Sequence, residues 1–157
     1  MLDAHAIVLS PFETLVLNLS LLAVVGWSIW KAEKSLDSGS DLTILALMTI
    51  FAITGRILLE PLPNVQPVTV VVLLVGIHYG ATRSIGVATI IAISSNLVMG
   101  HGLWTFYQAL GWSLVGVTGA MLSQSLRVDD KISVPRVASV SFVVAFVFDW
   151  VVSASVL

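Results

Sequence analysis

The chain has 157 residues, of which 57% are hydrophobic and only 10% are charged, and its mean hydropathy is +1.02. A soluble domain carries about 25% charged residues, so this chain has too few polar side chains to cover a soluble enzyme. The net charge of −2, without any basic tract, gives no electrostatic footprint for nucleic acid. The lack of cysteine excludes a disulfide scaffold, a thiolate metal site and a cysteine nucleophile.

Six apolar runs follow one another along the chain, after an N-terminus that lacks the positive start of a cleaved signal peptide. The runs are continuously apolar rather than alternating, and four are near the ~20 residues that a membrane-crossing helix needs. The sequence therefore predicts an all-α fold, a single polytopic bundle of about six transmembrane helices in the cell membrane. The predicted spans cover residues 12–30, 42–59, 67–81, 84–99, 106–126 and 137–157.

The basic residues predict the orientation of these spans. When successive loops alternate between the two sides, six of the seven Lys and Arg residues share one side, and only Arg56 lies toward the other. The positive-inside rule makes the rich side cytoplasmic and places both termini outside. The outward loops are then residues 60–67 and 100–105. The six residues on the cytoplasmic side are Lys31, Lys34, Arg83, Arg127, Lys131 and Arg136.

The first outward loop is stiff and carries two amides. Prolines end one helix and start the next, and Asn64 and Gln66 both offer hydrogen-bond donors and acceptors to a ligand. Asn64 equally suits the cap of the helix that begins near residue 67. At the base of this loop, Arg56 and Glu60 are four residues apart on one helical face. They are predicted to form a structural ion pair, with a direct ligand role as the minority interpretation.

The second outward loop is flanked by amides and indoles. Trp104, Gln108 and Trp112 recur every four residues, so they share one side of a helix that could bind a planar, partly polar ligand. An interfacial aromatic belt is the alternative explanation, and it accounts for Trp104 better than for Gln108 or Trp112. Asn96 lies one turn inside the fourth run, where an amide should face the bundle interior.

Other polar residues give weaker signals. His78 and His101 have no carboxylate or thiol companion, so neither a metal site nor a cofactor is predicted. Asp149 lies inside the sixth run, where an acid is either functional or bonded to a neighbouring helix. The glycines at 76 and 80 form a GxxxG pattern, for which internal packing is the default and a partner surface the alternative. No catalytic spacing and no phosphate-binding loop occurs, so we do not expect an enzyme.

The two outward segments read G-R-I-L-L-E-P-L-P-N-V-Q-P-V-T and S-N-L-V-M-G-H-G-L-W-T-F-Y-Q-A-L-G-W-S-L-V-G. Together they resemble the substrate-binding S components of energy-coupling factor (ECF) transporters, in the cobalamin-type or unassigned-vitamin branch. The matching stretch runs from Leu42 to about Ala120, roughly half of the chain.

The resemblance implies a membrane protein that binds a vitamin-like small molecule from outside, and that associates with a transmembrane T subunit and two cytoplasmic ATPases. It also implies that the outer loops line the ligand pocket. Carried over by position, the ligand-binding residues are Asn64, Gln66, Thr69, Asn96, Trp104, Thr105, Gln108 and Trp112.

The chain departs from the family pattern at three places. Phe106 replaces a proline, and the small residues of the second run, Ala46, Thr49, Ala52 and Gly55, are less regular than those of the family's docking helix. The chain also stops at Leu157 within an apolar run, so we expect that a last helix is lost or that the sequence is incomplete.

Two other functions remain open from the sequence. One is a stand-alone ion-coupled carrier that uses Asp149 and Asn96 as coupling groups. The other is a non-transporting scaffold whose small-residue faces bind partner helices.

Overall fold

A computed structural model describes residues 10–33, 39–60, 67–129 and 131–154, and these residues are predominantly α-helical. A helix lies in each of the six apolar runs, and a two-stranded hairpin lies between the last two helices. The elements are α1 (Pro11–Glu33), α2 (Gly39–Leu58), α3 (Val68–Tyr79), α4 (Ala81–Met99), α5 (Leu103–Met121), β1 (Arg127–Val128), β2 (Lys131–Ile132) and α6 (Val134–Ser153).

Three of these helices are long and apolar enough to cross a membrane. They are α2 over Asp41–Leu58, α4, and α6. Two shorter apolar segments are helix α3 and the part of α1 that ends at Trp27. With 12 residues, α3 is about 18 Å long, which is less than the ~30 Å hydrocarbon core of a bilayer.

The core of the bundle lies around α3, α4 and α5. Helix α3 packs against α2, α4, α5 and α6, and α1 and α2 pack on α4. Most of α3 is therefore buried, including Leu73, Val72 and Val75, which have no exposed surface. In contrast, α2 and α6 expose large apolar side chains such as Phe51 and Phe146.

The break between α3 and α4 falls at Gly80, not at Thr82–Arg83 as the sequence analysis predicts. Gly80 has φ +84°, a conformation that glycine adopts without steric cost, and its N–H donates to Gly76 O at 3.0 Å. Helix α4 then begins directly at Ala81, so Thr82 and Arg83 are helical. One glycine is enough to make this hairpin.

Helix α5 ends at Met121, five residues before the predicted end of the fifth span. A series of turns follows, and then the antiparallel β1–β2 hairpin, in which Arg127 is paired with Ile132. Leu126 belongs to these turns and is 3% exposed. Its hydrophobicity therefore reflects burial against the end of the bundle rather than continuation of the helix.

The glycines of α3 and α5 pack against each other inside the bundle. A Cβ atom on Gly76 would lie 2.9 Å from the carbonyl carbon of Gly116 and 3.1 Å from the nitrogen of Ala120. A Cβ atom on Gly119 would similarly collide with the backbone of Leu73. Internal packing is thus the role of Gly76, as such small residues allow close helix approach.

Arginines cluster at the end of the bundle where α3 ends. Arg83 Nη1 donates to Tyr79 O at 3.3 Å, and Arg127 Nη2 donates to Ile77 O at 3.5 Å. Both guanidinium groups thus satisfy carbonyls at a helix C-terminus, where positive charge is favourable. Arg56 contacts α4 at Ser95, twelve residues or about 18 Å along the helix from Arg83.

Candidate ligand-binding site

The turn between α4 and α5 brings the polar residues of these two helices together. Gly100 has φ +109° and ends α4 with a hydrogen bond from its N–H to Asn96 O at 2.9 Å. Gly102 precedes α5, and its N–H donates to Thr105 Oγ1 at 3.4 Å. The short turn places Asn96, near the end of α4, beside Thr105, near the start of α5.

Asn96 connects the two helices through its amide. Its Nδ2 donates to Thr105 Oγ1 and to Gln108 Oε1, each at 2.8 Å. Asn96 is 1% exposed and Thr105 is fully buried. His101 lies at the edge of this group, with Nδ1 3.3 Å from Thr105 Oγ1. A hydrogen-bonded polar group is therefore buried within otherwise apolar helices.

Arg56 adds a positive charge to this group from the end of α2. Nη2 donates to Gln108 Oε1 at 2.9 Å, and Nη1 donates to Ser95 Oγ. The side chain is 2% exposed, and Nε has no hydrogen-bond partner among the residues that the structure describes. We call the five residues Arg56, Ser95, Asn96, Thr105 and Gln108 the polar cluster.

Trp112 lies against the polar cluster one turn beyond Gln108. The guanidinium carbon of Arg56 lies 4.9 Å from the ring centroid of Trp112, a distance typical of a cation–π contact. Trp112 also stacks on Phe148 of α6, with centroids 4.8 Å apart and ring planes 13° apart. The indole is fully buried, and its Nε1 has no hydrogen-bond partner in the described ranges, which is uncommon for a buried indole.

The structure brings together four of the eight residues predicted to bind a ligand. Asn96, Thr105 and Gln108 belong to the polar cluster and Trp112 contacts it. Trp104 is directed elsewhere: its Nε1 donates to Gly100 O at 3.3 Å, and its ring covers Gly102. Thr69 is half-buried on α3. The other two, Asn64 and Gln66, lie outside the described residues.

The predicted ion pair between Arg56 and Glu60 is not formed in the part of the chain that the structure describes. Arg56 lies on the buried face of α2, whereas Glu60 is exposed in the turn after the helix ends at Leu58. Because residue 60 is not helical, the i, i+4 spacing no longer places the two side chains on one face. The partners of Arg56 are instead on α4 and α5.

Two residues of this region escaped the sequence analysis. Ser95 is adjacent to Asn96 in the sequence, and its position near the end of a polar stretch was a usable signal. Phe148 belongs to a continuously apolar run, and nothing in that run distinguishes it from Phe142 or Phe146. Its contact with Trp112 depends on how α6 packs on α5.

A groove lies next to this region, on another face of α5. It is an open groove with a volume of about 410 Å³, and it is lined almost entirely by apolar groups. Glu13 is the acidic residue in the lining of this groove. It accepts a hydrogen bond from Ser10 N at 2.8 Å and so caps the start of α1. The lining residues are Phe12, Glu13, Val16, Leu17, Ser20, Leu103 and Phe106.

The remaining chemical candidates do not join the polar cluster. Within the described ranges, no group of three or more His, Asp or Glu residues is arranged to hold a metal ion. Asp149 is exposed on α6, whereas Asn96 is buried between α4 and α5. The structure therefore does not bring together the two coupling groups that an ion-coupled carrier would use.

The fold and the site together place the chain in a broad class, that of helical proteins with a buried polar cluster among apolar helices. No protein family, no curated protein and no solved structure matches this chain.

Proposed function

We propose that this protein is the membrane-embedded substrate-binding subunit of an ECF-type importer, which captures a vitamin-like micronutrient from outside the cell. The observation that carries the proposal is the polar cluster, buried at the end of the bundle opposite the arginines near the end of α3. Cobalamin, or a precursor of it, is the first ligand to test.

The exterior of the bundle supports a location inside the bilayer. Large apolar side chains are exposed on α1, α2 and α6, and such extensive exposure is typical of a membrane or partner contact. In this proposal all six helices lie in the membrane, and the shorter α3 is surrounded by the others. Examples of these exposed residues are Leu15, Leu19, Leu47, Ile50, Phe51, Phe142, Phe146 and Trp150.

The cost of burying polar groups supports a ligand-binding role. Polar and charged side chains in membrane helices are expensive and usually face the bundle interior, where they mark substrate pathways. The cluster lies at the end that the loop charges assign to the outside. A solute arriving from outside would meet this end first.

The proposed partners are a T subunit and two ATPases, as the resemblance implies. Of the small residues in α2, Ala52 is fully buried and Gly55 packs against Pro67, whereas Ala46 is exposed. The docking surface in this proposal is therefore not a continuous row of small residues. It uses the exposed apolar side chains of α2, with Ala46 among them.

The test is to purify the protein in detergent from cells grown in rich medium and to identify co-purified molecules by mass spectrometry. We expect a micronutrient that binds again to the emptied protein, with at least ~10-fold weaker binding to Gln108→Ala and Trp112→Ala. Gln124→Ala is the matched control, because Gln124 is exposed in the turns after α5. If no micronutrient binds, or if the three variants bind equally well, the proposal is wrong.

A further inference from the structure

The buried charge of Arg56 has no balancing negative charge among its contacts. A guanidinium group stays protonated in proteins. In the described part of the chain, Arg56 donates to the hydroxyl of Ser95 and the amide oxygen of Gln108, and it lies over the indole of Trp112. All three partners are neutral. An unpaired buried charge normally costs several kcal/mol, so its retention in a 2% exposed side chain needs a reason.

The hydrogen bonds of this region leave buried donors without an acceptor among the described residues. Gln108 Oε1 already accepts from both Arg56 and Asn96, which uses both of its lone pairs. Two buried donors are left over, Arg56 Nε and Trp112 Nε1. Buried polar groups are nearly always hydrogen-bonded, so these two donors indicate a missing acceptor.

The neighbours of Arg56 do not depend on it. Ser95 Oγ donates to Ile91 O at 2.6 Å, and Gln108 Oε1 accepts from Asn96 at 2.8 Å. Both groups would keep a hydrogen bond if the guanidinium were removed. A purely structural role would instead leave buried groups unsatisfied when the arginine is lost.

We propose that the ligand of this site is an organic anion whose carboxylate or phosphate group binds Arg56. An anionic oxygen supplies both the missing acceptor and the missing negative charge, and charge-assisted hydrogen bonds to guanidinium are about twice as strong as neutral ones. Trp112 Nε1 provides a further donor to the same acidic group. This inference rests on the proposed function, which supplies the ligand, and it adds the chemical class of that ligand.

The first measurement needs no ligand. We expect Arg56→Met to raise the thermal unfolding midpoint of the emptied protein in detergent by about 2–4 °C, because it removes an uncompensated buried charge. Arg136→Met is the matched control at the other end of the molecule. There the guanidinium is exposed and donates to Ser125 O at 2.8 Å, so we expect no increase.

The second measurement compares matched acidic and neutral compounds. The carboxylate pairs are nicotinate with nicotinamide, pantothenate with pantothenol, and biotin with biotin amide. The phosphate pair is pyridoxal 5′-phosphate with pyridoxal. We expect the acid of at least one pair to bind about 100-fold tighter than its neutral partner, and Arg56→Met to abolish that preference. Arg56→Lys should retain part of it, because lysine keeps the charge but not the planar fork.

The outcomes separate this inference from the proposed function. If compounds bind but no acid binds more tightly than its neutral partner, or if Arg56→Met keeps the preference, the ligand class is wrong and the binding function stands. A lowered unfolding midpoint for emptied Arg56→Met would also overturn the inference, since it would show a structural role. Absence of binding throughout the panel and in the cobalamin test would overturn both.

Discussion

The two halves of α5 differ in the residues that face the interior of the bundle. Toward its N-terminus, the hydroxyl of Thr105 and the indole of Trp112 are fully buried, and the half-buried amide of Gln108 lies beside Arg56. Toward its C-terminus, α5 packs closely on α3, because Gly119 lies against the backbone of Leu73 and Gly76 of α3 lies against the backbone of Gly116. One helix thus carries both a polar region and a region of tight backbone packing.

The difference shows which half provides the stability of the bundle. In a membrane, apolar side chains gain little by leaving lipid, so close packing of small residues drives helix association. The glycine half meets that requirement without polar groups. At the polar half, Trp112 Nε1 and the neighbouring Arg56 Nε of α2 have no hydrogen-bond partner in the described part of the chain, which is unfavourable for folding and expected at a binding site.

The largest effect that we predict comes from Gly76→Ala. The added methyl group would collide with the backbone of Gly116, and a backbone carbonyl cannot move aside as a side chain can. We expect a loss of about 3 kcal/mol in the free energy of unfolding, measured by denaturant titration in detergent micelles.

Gly26→Ala is the control for this change. Gly26 is also helical, but an added Cβ there would meet nothing within 4 Å. Alanine should stabilise that position by about 0.5–1 kcal/mol through its higher helix propensity. Equal effects of the two substitutions would show that the α3–α5 contact is not tight.

A smaller loss should follow from Gln108→Leu in the polar half. The change removes the oxygen that accepts from Arg56 Nη2 and Asn96 Nδ2, and so leaves buried donors without that partner. We expect a destabilisation of about 2 kcal/mol in the same titration. Gln124→Leu, at an exposed position, should stay within about 0.5 kcal/mol.

The double variant Arg56→Met/Gln108→Leu sharpens this prediction. Arg56→Met removes one of the donors that Gln108→Leu leaves unsatisfied, so the double variant should be more stable than the sum of the single effects. Strict additivity would mean that Arg56 and Gln108 are not energetically coupled.

The helical fold class could be predicted because it depends on local sequence. Uninterrupted apolar runs of helix length indicate helices whatever their neighbours are, and a helix lies in each of the six runs. The ends of the helices were harder to predict. Gly80 alone ends α3, and Leu126 is apolar without being helical, because it packs against the end of the bundle.

Some contacts of the predicted site residues depend on local sequence, and others depend on how the helices pack. Asn96, Thr105 and Gln108 are close in sequence, so a single tight turn brings them together. The partners of Arg56 lie 39 and 52 residues away, and they depend on how α2 packs against α4 and α5. The spacing of Arg56 and Glu60 suggested a local ion pair because the end of the helix at Leu58 could not be predicted.

The smallest effect that we predict is that of Asp149→Asn. Asp149 is exposed on α6 and takes no part in the polar cluster, so its replacement should change the free energy of unfolding by less than about 0.5 kcal/mol. Ligand binding should also be unchanged, because Asp149 is exposed on α6, whereas Asn96 is buried between α4 and α5. An ion-coupled carrier would behave differently, since an intramembrane acid is then part of the transport cycle. Two measurements distinguish the ATP-driven importer from the ion-coupled carrier: ligand-binding titrations of the purified variant, and uptake into vesicles without ATPase subunits. Ion-driven uptake by the wild type that Asp149→Asn abolishes would favour the carrier and contradict the ATP-driven importer.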